Sequence, residues 1–281
     1  TFIMSIRLAI LVAAACAAFW PVAGQAQTPK KGGILKFAVL AEPPNYDCHA
    51  NSSFAFIHPV RPHYSTLLQF DMAKYPALTG DVATSWDVSK DGLTYAFKLK
   101  PNVKFHDGSA LTSADVKASY DRIVNPPPGV ISIRKAAYSD IGAIETPDPL
   151  SVVFKLKAPN AAMLALFASP WDCIYSAAKL KQDPKFPEKN ILGTGPFKFA
   201  EHVAGSHWVG ERFADYFEPG KPYLDGFRAV FVKGAAMVNA LQAGDVSFEF
   251  RGHSPANRDK LKAALGDKIE VRESPWVCNL V

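Results

Sequence analysis

The sequence has no cluster of basic residues and no run in which basic and aromatic residues alternate. Its 31 lysines and arginines are spread singly among 26 acidic residues, which gives a formal net charge of +5. Proteins that bind nucleic acids concentrate positive charge on one face or helix. The composition therefore argues against nucleic acid as a partner and is typical of an ordinary solvated surface.

Catalytic and cofactor motifs are also missing. The sequence has no HExxH zinc motif, no dinucleotide-binding fingerprint and no conspicuous pair of carboxylates. The stretch Gly252–Ala256 imitates a nucleophile elbow around Ser254, but Ala256 stands where that motif needs glycine. Hardly any chain follows it to supply an acid and a histidine. We predict no enzyme and no cofactor, with an exported serine hydrolase using Ser254 as a remote alternative.

Long apolar runs are rare, and the notable one lies at the N-terminus. Arg7 precedes the apolar stretch Leu8–Trp20, and the small-residue stretch Ala23–Ala26 follows it. A positive residue, an apolar core too short to span a bilayer and a small-x-small end are typical of a secretory signal peptide. Acylation of Cys16 is the weaker interpretation, because Ala13 stands where lipoproteins carry leucine. We predict that cleavage after Ala26 leaves a soluble periplasmic protein.

Cysteine is scarce, and three residues remain after that cleavage: Cys48, Cys173 and Cys278. An odd number allows at most one disulfide within the chain and leaves one thiol free. Their wide spacing excludes a zinc knuckle and a CxxC redox site. We predict small buried residues with at most one bridge, and the pairing stays open.

The most informative pattern lies between residues 80 and 124. Asp91-Gly92 supplies a hairpin turn, because this pair accepts the positive φ that such loops need. Apolar residues then alternate along Leu93–Leu99, which predicts a half-buried strand. Thr112 or Ser113 caps a predicted helix whose apolar stripe is Val116, Tyr120 and Ile123.

The order of these residues resembles the signature of family 5 extracellular solute-binding proteins, the oligopeptide, dipeptide and nickel-type receptors of ABC importers. The family carries Ala-x-x-Trp-x-Val, Asp-Gly-x-x-Tyr-x-Phe-x-Leu, Val-x-Phe-His-Asp-Gly and Leu-Thr-Ala-x-Asp-Val. The matching stretches here are Val82–Val88, Asp91–Leu99, Val103–Gly108 and Leu111–Val116. Lys100-Pro101 and Ser113 depart from the usual residues.

Further matches extend the resemblance over nearly all of the mature chain. They are Gly32–Pro43, the Gly-Thr-Gly-Pro segment within Asn190–Phe199, Pro222–Phe227 and Ala240–Ser247. The resemblance implies an α/β fold of periplasmic-binding-protein type II, cluster C-like, with mixed sheets and lobes that close over a ligand by hinge motion. It predicts a signal peptide over 1–26, a large lobe over 27–66 and 168–281, and a small α/β subdomain over 67–167. The C-terminal lobe beyond the hinge is absent, so we interpret the sequence as a fragment.

The implied function is that of a monomeric receptor that delivers a solute, unchanged, to an inner-membrane ABC permease. We favour peptides, and a nickel, metal-chelate or opine-type small solute on the same scaffold is the alternative. His58 and His63 are candidate metal ligands, but a metal site usually needs three or more convergent ligands, so we predict no metal.

We predict ligand-binding roles for five residues. Asn51, Ser52 and Phe54 are expected at the rim of the cleft, Thr194 at the crossover between lobes and Trp276 near the hinge. Whether the phenylalanines of the stretch Asn51–Tyr64 line the cleft or belong to the core is left open.

Overall fold

The computed structural model describes residues 28–249 and 254–272, and within them the strands form three β-sheets. The signal-peptide stretch, Trp276 and Cys278 lie outside the described residues. The strands are β1 Ile34–Val39, β2 Leu68–Phe70, β3 Leu78–Gly80, β4 Ala83–Val88, β5 Thr94–Leu99, β6 Ile141–Asp148, β7 Ser151–Leu156, β8 Phe197–Val203, β9 His207–Arg212, β10 Gly226–Phe231 and β11 Phe248–Glu249. The α-helices are α1 Phe54–Val60, α2 Ser113–Val124, α3 Met163–Phe167, α4 Ala177–Gln182, α5 Ala235–Ala243 and α6 Pro255–Leu265.

The largest sheet has the strand order β11-β1-β10-β9-β8. Strand β1 pairs in parallel with β10 on one side and with β11 on the other. Helix α5 lies between β10 and β11 in the chain, as a parallel connection requires. Gly244 ends this helix with a left-handed φ of 76°, which a glycine adopts without strain.

The predicted hairpin and helix are confirmed in a second sheet of order β4-β5-β7-β6, in which all neighbours are antiparallel. The alternating apolar side chains of β5, which are Tyr95, Phe97 and Leu99, are buried in the same apolar cluster as the stripe of helix α2. Thr112 and Asp115 form a capping box at the start of α2, in which the Thr112 N–H donates to the Asp115 carboxylate at 2.7 Å. The predicted stripe is buried at Val116, Tyr120 and Ile123.

Each of these two sheets is packed against its own apolar cluster. One cluster draws on residues 67–174 and includes the ring group Phe97, Tyr120, Phe154 and Phe167. The other joins residues 37–64 to residues 173–229 around Trp208. Burying one such aromatic or aliphatic side chain contributes about 1.5–3 kcal/mol. The lobe boundaries inferred from the sequence remain a prediction.

The segment between β1 and α1 is tied covalently to a distant part of the chain. Cys48 and Cys173, which are 125 residues apart, form a disulfide with a Cα–Cα distance of 6.0 Å. Of the pairings left open by the sequence, this is the one that the fold brings together. Among the described residues, none of the helices has the length and apolarity that a membrane span requires.

Removing the disulfide should destabilise the protein. In the chain-entropy model the bridge restricts a loop of 125 residues in the unfolded state. We expect Cys48→Ala/Cys173→Ala to lower the free energy of unfolding by about 2–5 kcal/mol, measured by urea denaturation. A reductant should destabilise the parent protein to the level of the variant and leave the variant unchanged. Equal stability of the oxidised parent and the variant would contradict the assignment.

Candidate functional site

One edge of the large sheet collects the carboxyl ends of several strands. Strands β1, β10 and β11 are parallel, and β8 runs in the same direction because both β8 and β10 are antiparallel to β9. In open α/β sheets, ligands bind in the crevice outside the carboxyl ends of the strands. The chain that leaves β1 at this edge leads directly to residues 40–54. We therefore place the candidate ligand site there.

Asn51 organises this segment from within. It is buried, and its amide nitrogen donates to the Asn45 side-chain oxygen and to the Asp47 carbonyl, both at 2.7 Å. Ser52 is exposed, while the Ser53 hydroxyl accepts from the Phe56 N–H and so caps helix α1. The predicted Asn51 therefore positions the loop, and Ser52 is the neighbour that faces solvent.

Phe54 lies at the surface, whereas Phe56 belongs to the core. Phe54 is 41% exposed, and its ring centroid is 5.5 Å from that of His58. Phe56 is fully buried and stacks on Trp171 at 5.9 Å. Of the two aromatics, only Phe54 is available to a solute at the rim.

Residues 131–134 meet the same loop, and the sequence analysis missed them. The Ile133 N–H donates to the His49 carbonyl at 3.2 Å, and Arg134 donates to the carbonyls of Cys48 at 3.2 Å and Asn51 at 2.8 Å. Ile131 and Ile133 are 61% and 48% exposed. The Ile-Ser-Ile alternation after the proline-rich turn was the available signal, but only the fold shows that these side chains remain uncovered.

Thr194 lies where residues 193–195 cross tightly over residues 62–64. The Gly195 N–H donates to the His63 carbonyl at 3.0 Å, and the His106 N–H donates to the Gly193 carbonyl at 2.9 Å. Thr194 is fully buried, and its hydroxyl has no hydrogen-bond partner among the described residues. The described residues thus enclose the Thr194 side chain. Its role as a ligand contact stays a prediction, as does that of Trp276.

His63 is a structural residue. Its Nε2 accepts from the Trp208 indole N–H at 2.8 Å, so its Nδ1–H donates to the Phe197 carbonyl at 2.7 Å. Burial lowers the pKa of His63 to about 3, which agrees with a neutral ring. Both ring nitrogens are therefore occupied. Within residues 28–249 and 254–272, no group of three or more His, Cys, Asp or Glu side chains could hold a metal ion.

An acidic side chain stands at the same sheet edge. Glu42 is 3.0 Å from Nε2 of His202 on β8, and Nδ1 of His202 is 2.9 Å from the Tyr46 hydroxyl. Tyr46 packs edge-on against Trp208 with ring centroids 5.1 Å apart. This chain of contacts fixes a partly exposed carboxylate at the edge, where it can meet a cationic group of a solute.

Asp172 is a buried acid behind the rim. The phenol of Tyr138 has one hydrogen but contacts two oxygens, the Leu166 carbonyl at 2.8 Å and the Asp172 carboxyl. Both contacts are satisfied when Asp172 donates to Tyr138 and Tyr138 donates to Leu166. Burial raises the pKa of Asp172 to about 7, partly opposed by Tyr138 and by Arg134.

Asp172→Asn should stabilise the protein at high pH, because the asparagine N–H reproduces the donor of the protonated acid. The native state binds a proton that the unfolded state releases between about pH 4 and pH 7, so the stability that this proton contributes is lost as the pH rises through about 7. We expect a gain of about 4 kcal/mol near pH 8.5 and little change near pH 4, measured by urea denaturation.

The exposed Asp87 on β4 offers a matched control for that substitution. Asp87→Asn should leave unfolding unchanged at both pH values. An Asp172→Asn effect of the same size at low and high pH would show that Asp172 is not protonated in the native state.

Gly195→Ala should disrupt the crossing. A Cβ there would lie 2.5 Å from the Pro62 carbonyl oxygen and 2.5 Å from the His63 carbonyl carbon, both backbone atoms. We expect a loss of about 1–3 kcal/mol in the free energy of unfolding, because the packed backbone must shift. Gly142→Ala is the control, since its Cβ would meet only the flexible side chain of Lys157 closely, at 3.2 Å. Equal stability of the two variants would contradict the packing described.

The chain is similar to known proteins over most of its length. The family model described as bacterial extracellular solute-binding proteins, family 5 Middle, matches residues 77–280. The glutathione-binding protein GsiB of Pectobacterium atrosepticum is 35% identical over 217 residues, which are 76% of this chain and 40% of that protein. The chain therefore spans about two fifths of the length of this relative.

Solved structures show the same fold. The binding protein AgaA of A. tumefaciens R10, in complex with agropinic acid, is 35% identical with a TM-score of 0.71. The match covers 76% of this chain and 43% of the AgaA chain. The periplasmic binding protein DppA of Helicobacter pylori, in complex with the peptide STSA, is 28% identical with a TM-score of 0.75. The match covers 84% of this chain and 49% of the DppA chain. The predicted α/β fold of periplasmic-binding-protein type II is confirmed. The chain belongs to family 5 of the bacterial extracellular solute-binding proteins.

Proposed function

We propose that this chain is part of the receptor of an ABC importer, which binds a solute outside the cytoplasm and passes it unchanged to a membrane permease. The observation that carries the proposal is the rim at the carboxyl edge of the large sheet, in a chain whose family consists of solute-binding proteins. Ser52, Phe54, Ile131 and Ile133 present exposed polar and apolar surface at this rim. Such surfaces suit amphipathic small molecules.

Peptides are the solute class that we favour. One relative is named for glutathione binding, others are named putative ABC transporter peptide-binding proteins, and DppA holds a peptide. A peptide would place apolar side chains against Phe54 and the isoleucines and its charged groups near Glu42 and Arg134. An opine-type solute is the second candidate, because AgaA, which is 35% identical, holds agropinic acid. A nickel chelate has no ligand cluster among the described residues.

The same proposal covers the localisation of the protein, its oligomeric state and the boundaries of its lobes. The receptor is periplasmic and monomeric, with a signal peptide over residues 1–26. Its large lobe comprises residues 27–66 and 168–281, and the small subdomain comprises residues 67–167. The Ser254 hydroxyl accepts from the Asn257 N–H at 3.3 Å as the cap of α6, which gives this residue a structural role. We infer that the facing wall of the cleft belongs to further chain of a longer protein.

Calorimetry of the full-length protein tests the solute class. Trialanine and glutathione should release or absorb heat on binding, and a nickel–histidine complex should give none. Nickel-dependent heat without any response to peptides would overturn the peptide proposal, and heat with agropinic acid alone would support the opine alternative. Residues 27–281 by themselves should show no measurable affinity, because one wall alone cannot enclose a ligand. Micromolar binding of trialanine by this piece would contradict the inferred second wall.

A further inference from the structure

We propose that Arg134 binds a carboxylate of the solute, so that the receptor takes anionic, partly apolar solutes. This proposal rests on the proposed function and deepens it, because it names a recognition group and the chemical class of the solute. It rests on the charge, the anchoring and the surroundings of this one guanidinium.

Among the described residues, no carboxylate pairs with the charge of Arg134. No carboxylate oxygen among the described residues lies within 4.0 Å of its guanidinium nitrogens, whereas Arg122 pairs with Asp47 at 2.6 Å and Arg61 with Asp81 at 3.0 Å. Asp172, the nearby acid, contacts the Tyr138 hydroxyl, and burial raises its pKa to about 7, so it is only partly charged near neutral pH. An unneutralised cation that is partly removed from water favours an incoming anion.

Burial also acts on Arg134 itself. It lowers the pKa of the guanidinium, and the attraction of Asp172 and of the neighbouring tyrosines only partly opposes this effect. A guanidinium nevertheless remains charged at any physiological pH. The partly desolvated cation is thus retained at the rim of a ligand site.

The structure holds Arg134 in a fixed orientation. Two of its N–H groups donate to the carbonyls of Cys48 and Asn51, and the guanidinium lies 4.8 Å from the ring centroid of Trp171. A guanidinium has five N–H donors, so three have no hydrogen-bond partner among the described residues. A planar group with free donors and little rotational freedom is well suited to hold a carboxylate through paired hydrogen bonds.

The surroundings define the rest of the solute. Ile133 precedes Arg134 and is 48% exposed, and the anchored Asn51 leads to Ser52 and the exposed Phe54. A solute with a carboxylate beside an apolar or polarisable portion fits this combination. Glutathione and agropinic acid, the molecules connected with the two relatives at 35% identity, are both carboxylic acids.

A purely structural role is the competing explanation, because Arg134 also ties two loops together. The two roles differ in their dependence on the ligand. If Arg134 only supports the loop, its replacement should weaken the binding of all solutes alike. If it binds a carboxylate, its replacement should weaken the binding of acids and leave the binding of the corresponding amides unchanged.

Titration calorimetry of the full-length protein separates them, with trialanine and trialanine amide as one pair of probes and glutathione and agropinic acid as further acids. We expect Arg134→Gln to weaken binding of the acids by about 10- to 100-fold and to change the affinity for the amide by less than about twofold. Arg134→Lys keeps the charge without the planar fork, so it should fall between the parent and Arg134→Gln. Lys135→Gln is the matched control, since it removes the same charge from an exposed neighbour.

Each outcome decides the proposal. Equal weakening of acid and amide by Arg134→Gln, or an equal effect of Lys135→Gln, would overturn it while leaving the receptor function intact. If none of the acids binds the parent protein, the proposed solute class is wrong as well. Urea denaturation of each variant shows whether a lost affinity reflects lost folding, and Arg134→Lys keeps the test valid if Arg134→Gln fails to fold.

Discussion

The buried ion pair between Asp47 and Arg122 is the constraint on which the candidate site depends. It joins the loop after β1 to helix α2, and the side chains of both partners are almost fully buried. Removing two charges from water is costly, and such a pair is tolerated when further hydrogen bonds complete it. Asp47 also accepts from the Tyr175 hydroxyl at 3.0 Å, and Arg122 also donates to the Pro184 carbonyl at 3.1 Å. The disulfide of Cys48 begins one residue later and ties the same loop to a third part of the chain.

This arrangement separates support from recognition. His49 accepts from Arg122 at Nδ1 and donates from Nε2 to the Cys173 carbonyl, and burial lowers its pKa to about 3. These paired side chains anchor the loop from within, while Ser52 and Phe54 lie at the surface. Arg134 differs from Arg122 in this respect, because its bonds hold the loop while no carboxylate of the described residues forms an ion pair with it. Binding sites gain affinity when such groups are held in place before the ligand arrives.

Much of the secondary structure could be predicted from local patterns. Alternation along β5, the Asp-Gly turn and the cap at Thr112 act over a few residues, so their outcome depends little on the rest of the chain. Helix α6 likewise follows from Pro255 at its start and Gly266 at its end. Phe54 and Phe56 could not be assigned in this way, because they sit two residues apart in one helix and only the packing of Trp171 decides which is covered.

The sequence by itself determined the family, the hairpin, the capped helix and the Gly-Thr-Gly segment, because each depends on residues that are close together in the chain. The tertiary structure alone decided that Cys48 meets Cys173, that Thr194 is enclosed, and that Arg134 reaches the carbonyls of residues 48 and 51. These relations join residues that are tens to over a hundred positions apart, and no local periodicity encodes which distant side chains share a space. Packing and the pairing of buried polar groups select them.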